Sequence, residues 1–110
     1  MKKVGIIRCQ QTEDLCPGTR DFVYAAQGKG VFEAYGPCEV VGFVSCGGCP
    51  GKRAVARAKM LVDRGAELVA LASCIGRGNP IDFACPYREK ILHSISQKMT
   101  TGTVLVDYTH

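Results

Sequence analysis

Three short apolar runs in this chain each stop at a cysteine, and this repetition constrains the fold more than any other feature. The runs end at Cys9, Cys46 and Cys74. If the runs are parallel strands, their carboxyl ends lie along one edge of one sheet, and the three thiols meet there. Open α/β sheets bind their ligands at this edge, outside the carboxyl ends of the strands. The sequence therefore predicts a site before it predicts a reaction.

The segments between the runs have helical patterns, so the elements alternate as βαβαβαβ. Strands are predicted at residues 4–9, 39–45, 67–74 and 103–108, and helices at residues 21–35, 50–64 and 86–99. We expect Asp21 to cap the first helix, and Gly28 and Gly30 to break it or end it early, because each interior glycine costs about 1 kcal/mol relative to alanine. The alternation predicts an α/β fold over residues 1–110, a single-domain three-layer sandwich. Its four-stranded parallel sheet should have the flavodoxin-like or Rossmann-like order 2-1-3-4.

Length and cysteine content limit the classes of protein that this chain can belong to. At 110 residues it has room for one hydrophobic core and no second domain. Its seven cysteines cannot all pair within the chain, because the number is odd. Arg8 interrupts a first apolar run that is too short for a secretory signal, so we expect a cytoplasmic protein. In a reducing compartment, closely spaced cysteines indicate metal ligation or redox chemistry, and the apolar runs are too short to predict a membrane span.

The charge of the chain does not favour a nucleic-acid partner. The formal net charge is only +4, and four thiolates around one divalent ion would lower it from +4 to +2. Arg53, Arg57 and Arg64 recur at helical spacing with few aromatic residues near them, which is typical of a solvated helix face. The partners that the sequence favours are therefore a metal ion and, for a redox protein, a second redox protein.

The second apolar run continues into Cys46-Gly47-Gly48-Cys49, just before a predicted helix. This spacing occurs in metal knuckles, in which two thiolates and the small residues between them wrap one ion. It also occurs in redox dithiols, because the positive end of a helix lowers the pKa of a thiol. The spacing alone leaves both interpretations open.

The predicted strand order brings further thiols to this pair. Cys46, Cys9 and Cys74 would follow three adjacent strands that are about 4.8 Å apart. With Cys49 one short turn away, these thiols could converge on a zinc ion, whose Zn–S bonds are about 2.3 Å long. We therefore expect a four-thiolate metal set.

Two more cysteines are candidates for the same site. Cys16 and Cys85 lie in the loops that follow the first and third strands, so both overhang the same edge. Convergence of all six thiols would favour an iron–sulfur cluster or a cluster with a spare dithiol. His110 follows the last strand and is a further candidate, whereas Cys38 precedes a strand and should lie at the opposite end. The candidate metal ligands are Cys9, Cys16, Cys46, Cys49, Cys74 and Cys85.

These motifs together resemble the CGGC-domain proteins, small prokaryotic proteins whose role is largely unknown. The resemblance covers most of the chain and is carried by Cys46-Gly47-Gly48-Cys49-Pro50-Gly51-Lys52, the strand ending at Cys9, Cys16-Pro17-Gly18, Ser73-Cys74-Ile75, Cys85-Pro86 and Thr109-His110. The resemblance implies a metal-binding domain, with zinc the usual suggestion. This chain departs from the pattern at Tyr87, where a histidine is expected.

Three hypotheses follow from the sequence. The first is a zinc-thiolate module held by the four-thiolate set. The second is a thiol/disulfide redox or electron-transfer protein that uses Cys46 and Cys49, with Cys74 or Cys9 as the resolving partner. The third is an iron–sulfur protein. No histidine or carboxylate adjoins the CGGC tetrad to act as a general base, so the sequence does not favour a hydrolase, and it leaves open whether the protein is an enzyme.

Overall fold

The protein has an α/β fold in which helices cover both faces of a parallel sheet. The structure, a computed structural model, describes residues 1–12, 15–76, 85–98 and 103–110. Within these ranges the strands are β1 (Lys2–Arg8), β2 (Cys38–Ser45), β3 (Leu68–Leu71) and β4 (Val104–Val106), and the α-helices are α1 (Thr19–Gln27), α2 (Arg53–Asp63), α3 (Ser73–Gly76) and α4 (Arg88–Lys98). Short 3-10 helices lie at Gln10–Thr12 and Gly30–Ala34. Every pairing is parallel and the order is β2-β1-β3-β4, so the predicted class and order are confirmed.

The sheet separates two helical layers. On one face, Leu61 of α2 packs on glycines of the two neighbouring strands, and a Cβ on Gly5 would lie only 2.9 Å from Leu61 atoms. Gly42 of β2 faces the same leucine. Successive side chains of a strand point to opposite faces, and Phe43 accordingly packs on the other face, where its ring lies 4.8 Å from that of Phe22 in α1. Because α4 packs against α2, the layers are α1, the sheet, and α2 with α4.

The central strands carry the core. The side chains of Val4, Ile6 and Ile7 in β1 and of Leu68 and Leu71 in β3 have no exposed surface. Near-continuous apolar runs are required of parallel strands that are covered on both faces. This double coverage fixes the register of the strands, and with it the position of the residues that follow their carboxyl ends.

Several element boundaries differ from the sequence predictions. The first helix ends at Gln27, because Gly28 adopts φ 68° as its C-cap, and residues 30–34 form a separate 3-10 turn. The prediction that Asp21 caps this helix is wrong, because Gly18 holds the N-cap position and Asp21 lies buried in the first turn. The third strand stops at Leu71, so Cys74 lies on α3 and not at the end of a strand.

Parts of the predictions fall on residues that the structure does not describe. The predicted loop between Ile75 and Cys85 lies mostly at residues 77–84, and Met99 of the last predicted helix is also outside the described residues. Among the helices that are described, none has the length and hydropathy needed to cross a membrane.

Candidate functional site

Three of the predicted thiols follow adjacent strands at the carboxyl edge of the sheet. The backbone N–H of Cys46 donates a hydrogen bond to the carbonyl of Arg8 at 2.7 Å, which places the end of β2 beside the end of β1. The backbone N–H of Cys9 donates to Sγ of Cys74 at 3.1 Å, although 65 residues separate the two in sequence. The edge therefore carries Cys9 in its centre, with Cys46 on one side and Cys74 on the other.

Cys85 lies close enough to the cluster for the other thiols to act on its ionisation. Burial is the main reason that the pKa of Cys85 is raised, and the charges of Cys9, Cys49 and Cys46 raise the pKa further, while a backbone hydrogen bond from Tyr87 lowers it. Like charges act in this way only over short distances. Cys85 therefore lies in the neighbourhood of Cys9, Cys46 and Cys49.

The Cys74 thiol is the most deeply buried of the edge group, with 5% of its surface exposed. Burial raises the pKa of Cys74, and the charges of Cys9 and Asp21 add to that rise. Hydrogen bonds from the Cys9 backbone and the Thr12 side chain act in the opposite direction. In the absence of a cation, the thiol of Cys74 therefore holds its proton more firmly than an ordinary cysteine.

The CGGC tetrad forms a tight turn between β2 and α2. Gly47 and Gly48 have φ values of 83° and 97°, which residues with a Cβ rarely adopt. The turn leaves Cys46 buried, with 6% of its surface exposed, and Cys49 exposed. The two glycines thus permit a backbone in which one thiol faces the edge and the other faces solvent.

Cys16 and His110 line a cleft beside the cluster. Its volume is about 470 Å³, and its lining consists of Leu15, Cys16, Pro17, Thr19, Arg20, Asp21, Cys74 and His110. Nε2 of His110 lies 3.6 Å from Oδ1 of Asp21, and its ring packs edge-on against Tyr24. Two of the residues left undecided by the sequence, Cys16 and His110, are therefore neighbours of Cys74.

The remaining cysteine is remote from the site. Cys38 is the first residue of β2 and pairs with Lys2, at the end of the sheet opposite to the cluster. Its thiol donates to the carbonyl of Gly36 at 3.2 Å, and burial raises the pKa of Cys38 despite the nearby positive charges of Lys2 and the N-terminus. The prediction that Cys38 lies apart from the other cysteines is confirmed.

The clustered thiols do not form a closed coordination sphere. Among the described residues, no three Cys, His, Asp or Glu side chains have the arrangement needed to hold a metal ion. The seven cysteines are all free thiols. The carboxyl edge thus supplies thiol donors of the kind that soft metals prefer. These thiols would have to move closer together before they could surround one ion.

Sequence reasoning missed the residue that organises the loop after β1. The Arg8 guanidinium, 7% exposed, donates to the carbonyls of Cys9 and Cys16 and to Oγ1 of Thr12. Oγ1 of Thr12 donates in turn to the Cys9 carbonyl at 3.1 Å. One buried side chain thereby fixes the backbone of two candidate ligands and the hydroxyl that contacts Cys74. An arginine at the end of an otherwise apolar strand was the available signal.

A second buried polar network was also missed. Oγ1 of Thr109 donates a hydrogen bond to Oδ1 of Asp21, and the Ser73 N–H donates to the same threonine hydroxyl at 3.3 Å. Oγ of Ser73 donates to the His110 carbonyl at 2.8 Å. The C-terminal pair of residues thereby fastens the start of α1 to the start of α3, directly beside Cys74.

Comparisons with known proteins identify the family of this chain. The family model described as the CGGC domain matches residues 3–110. An uncharacterized protein of Methanocaldococcus jannaschii is 38% identical over 91 residues, which cover 77% of this chain and 68% of that protein. A second uncharacterized protein of the same organism is 36% identical over 63 residues, or 56% of this chain and 89% of that protein. No solved structure matches the chain.

Proposed function

We propose that this chain, which belongs to the CGGC domain family, binds a metal ion through the thiols at the carboxyl edge of its sheet. The observation that carries the proposal is the convergence of cysteines from adjacent strands. The Cys46 N–H donates to the carbonyl at the end of β1, and the Cys9 N–H donates to Sγ of Cys74. Free thiols that cluster at the carboxyl edge of an α/β sheet, where such folds bind ligands, are suited to binding a metal ion.

Zinc is the metal that we propose, with Cys9, Cys46, Cys49 and Cys74 as ligands. Four thiolates suit a structural zinc ion in tetrahedral geometry. Cys49 is exposed, whereas Cys46 and Cys74 are buried. Closure therefore requires the CGGC turn to bring Cys49 inward, with Cys85 and Cys16 as reserve donors. His110 is a further reserve donor through the cleft that it shares with Cys74.

The raised pKa values at the site predict that metal uptake depends on pH. Burial raises the pKa of Cys74 and of Cys85 because a thiolate loses hydration there. A bound divalent ion supplies the opposite charge and displaces the protons. Metal uptake should therefore release protons, and affinity should rise with pH across the range in which these thiols would otherwise stay protonated.

Metal content per chain tests the proposal. Protein purified without oxygen should contain about one zinc, and Cys46→Ser and Cys74→Ser should each lose most of it because each removes a ligand. Cys38→Ser is the matched control, since it also changes a buried cysteine but lies at the other end of β2. Circular dichroism establishes that each variant is folded. Equal metal retention in all three folded variants would overturn the proposal.

A redox dithiol at Cys46 and Cys49 is the second candidate. The asymmetric exposure of the pair favours it, since Cys49 is exposed and could attack a partner's disulfide while Cys46 is buried beside it. The attack would transfer the disulfide in two exchange steps and leave the pair oxidised and the partner reduced. Iodoacetamide labelling separates the candidates. Zinc-bound thiols should react slowly until a chelator is added, whereas fast labelling that chelation does not change would favour the redox dithiol.

An iron–sulfur cluster is distinguished from zinc by colour. Its sulfide-to-iron transitions absorb visible light, whereas a zinc-thiolate site is colourless. If the anaerobic preparation is brown and contains iron and acid-labile sulfide, the iron–sulfur cluster would take the place of zinc in the proposal.

A further inference from the structure

The cleft beside the thiol cluster has the position and lining of a small-molecule site. It lies between the loop after β1 and the start of α3 after β3, so it stands where the strand order reverses. Doubly wound α/β folds bind ligands at this switch point. Its volume of about 470 Å³ is sufficient for a small organic molecule.

Two thiols face this cleft. Cys16 is partly exposed in the loop, whereas Cys74 is buried in the wall with 5% of its surface exposed. Thr12 joins their positions, because its carbonyl accepts the Cys16 N–H at 2.9 Å and its hydroxyl contacts the Cys74 thiol. The outer thiol is thus open to a ligand, and the buried thiol lines the same cleft.

The other residues of the lining define the kind of molecule that fits. Leu15 and Pro17 supply an exposed apolar wall, and Arg20 supplies a guanidinium on the rim. A guanidinium pairs well with a carboxylate. Asp21 is buried and bonded to Thr109, so it is part of the scaffold, whereas Arg20 is exposed and can meet a ligand.

We propose that this cleft binds a low-molecular-weight disulfide that carries a carboxylate, and that Cys16 and Cys74 exchange with it. The Cys16 thiolate attacks one sulfur of the disulfide RSSR. The S–S bond of RSSR breaks, one RS⁻ leaves, and Cys16 is joined to the other half. The Cys74 thiol then gives its proton to the departed RS⁻, attacks Sγ of Cys16 and releases the second RS⁻. The two protein thiols are oxidised to a Cys16–Cys74 disulfide, their two protons pass to the leaving thiolates, and RSSR is reduced to two RSH.

This exchange is separate from the metal proposal, although Cys74 occurs in both. It is therefore measured on the reduced chain in the presence of a chelator, so that failure to bind metal has no effect on the result. Glutathione disulfide is the probe. Peptide mapping of the early product should find Cys16 joined to Cys74. Early formation of a Cys46–Cys49 disulfide, or no reaction at Cys16, would overturn the proposal.

Variants test the order of attack. In Cys74→Ser the reaction should stop at a glutathione adduct on Cys16, because the resolving thiol is missing. In Cys16→Ser neither the adduct nor the disulfide should form in the cleft. An adduct on Cys74 in Cys16→Ser at the wild-type rate would contradict the assigned order. The wild-type peptide map decides the outcome if either variant fails to fold.

A second measurement tests recognition of the carboxylate. Arg20→Gln should lower the rate constant with glutathione disulfide about two- to fivefold, the size expected when one exposed ion pair is lost. The rate with uncharged 2-hydroxyethyl disulfide should not change. Arg53→Gln is the matched control, because Arg53 is exposed at the start of α2 and does not line this cleft. Equal slowing by Arg20→Gln with both probes, or equal slowing by the two variants, would contradict the assignment.

Discussion

Replacing Thr109 with valine should destabilise the fold more than the loss of one surface hydroxyl would. Thr109 has no exposed surface, and its hydroxyl donates to the carboxylate of Asp21, which is 2% exposed. The same hydroxyl accepts the Ser73 N–H at 3.3 Å. Valine has nearly the same shape but leaves both buried groups without this partner.

The expected loss follows from the charge of the acceptor. A hydrogen bond to a charged group contributes about 1.5–3 kcal/mol, and an unsatisfied buried group costs a similar amount. We therefore expect Thr109→Val to lower the free energy of unfolding by about 2–3 kcal/mol. At this chain length each kcal/mol corresponds to roughly 4 °C, so the Tm should fall by roughly 8–12 °C. Because Ser73 precedes Cys74, iodoacetamide should also label Cys74 faster under native conditions.

Urea denaturation followed by circular dichroism measures this effect. Thr109→Ser is the matched control, since it keeps the hydroxyl and loses one methyl group, worth about 0.8 kcal/mol. A Thr109→Val variant no less stable than Thr109→Ser would refute the reasoning, because it would mean that the bond to Asp21 contributes nothing.

Three further predictions concern other parts of the molecule. Gly5→Ala should lower the free energy of unfolding by about 1–3 kcal/mol, because the new Cβ meets Leu61, and urea midpoints that match wild type would contradict this packing. Arg8→Lys keeps the charge but cannot make all three hydrogen bonds of the guanidinium, so Cys16 should be alkylated severalfold faster. An unchanged rate of Cys16 alkylation would show that Arg8 does not hold the loop after β1. Burial raises the pKa of Cys38 in the folded state, so its contribution to stability is full below the unfolded pKa of about 8.5 and is lost as pH rises through the folded value. Urea midpoints in chelator should accordingly fall less between about pH 7 and about pH 10 in Cys38→Ala than in wild type, and parallel curves would contradict this.

The sheet could be predicted from sequence because its constraints are local and repeated. Each central strand is an apolar run between turn residues, and right-handed parallel crossovers leave few possible strand orders. The same logic placed Cys9 and Cys46 at one edge and Cys38 at the other, as the structure shows. These positions depend only on which end of a strand a residue occupies.

The missed features depend on contacts between distant segments. Arg8 was noted only because it interrupts an apolar run, and its partners are loop carbonyls that the fold brings to it. The sequence pattern predicts Asp21 as a helix cap, but Asp21 lies in the first turn and its hydrogen-bond partner Thr109 is 88 residues away. Cys74 appeared to end a strand because residues 67–74 are mostly apolar, whereas β3 ends at Leu71 and α3 begins at Ser73. Apolar character alone does not separate a strand from a short buried helix.

The central claim is that thiolates at the carboxyl edge of the sheet hold the metal. X-ray absorption spectroscopy of the metal in anaerobically purified protein tests this claim most directly. If zinc is bound as proposed, the first shell should contain about four sulfur atoms at about 2.3 Å. Cys46→Ser should lose sulfur from this shell, whereas Cys38→Ser should leave it unchanged. A shell made mainly of nitrogen or oxygen atoms in the wild-type protein would contradict the account.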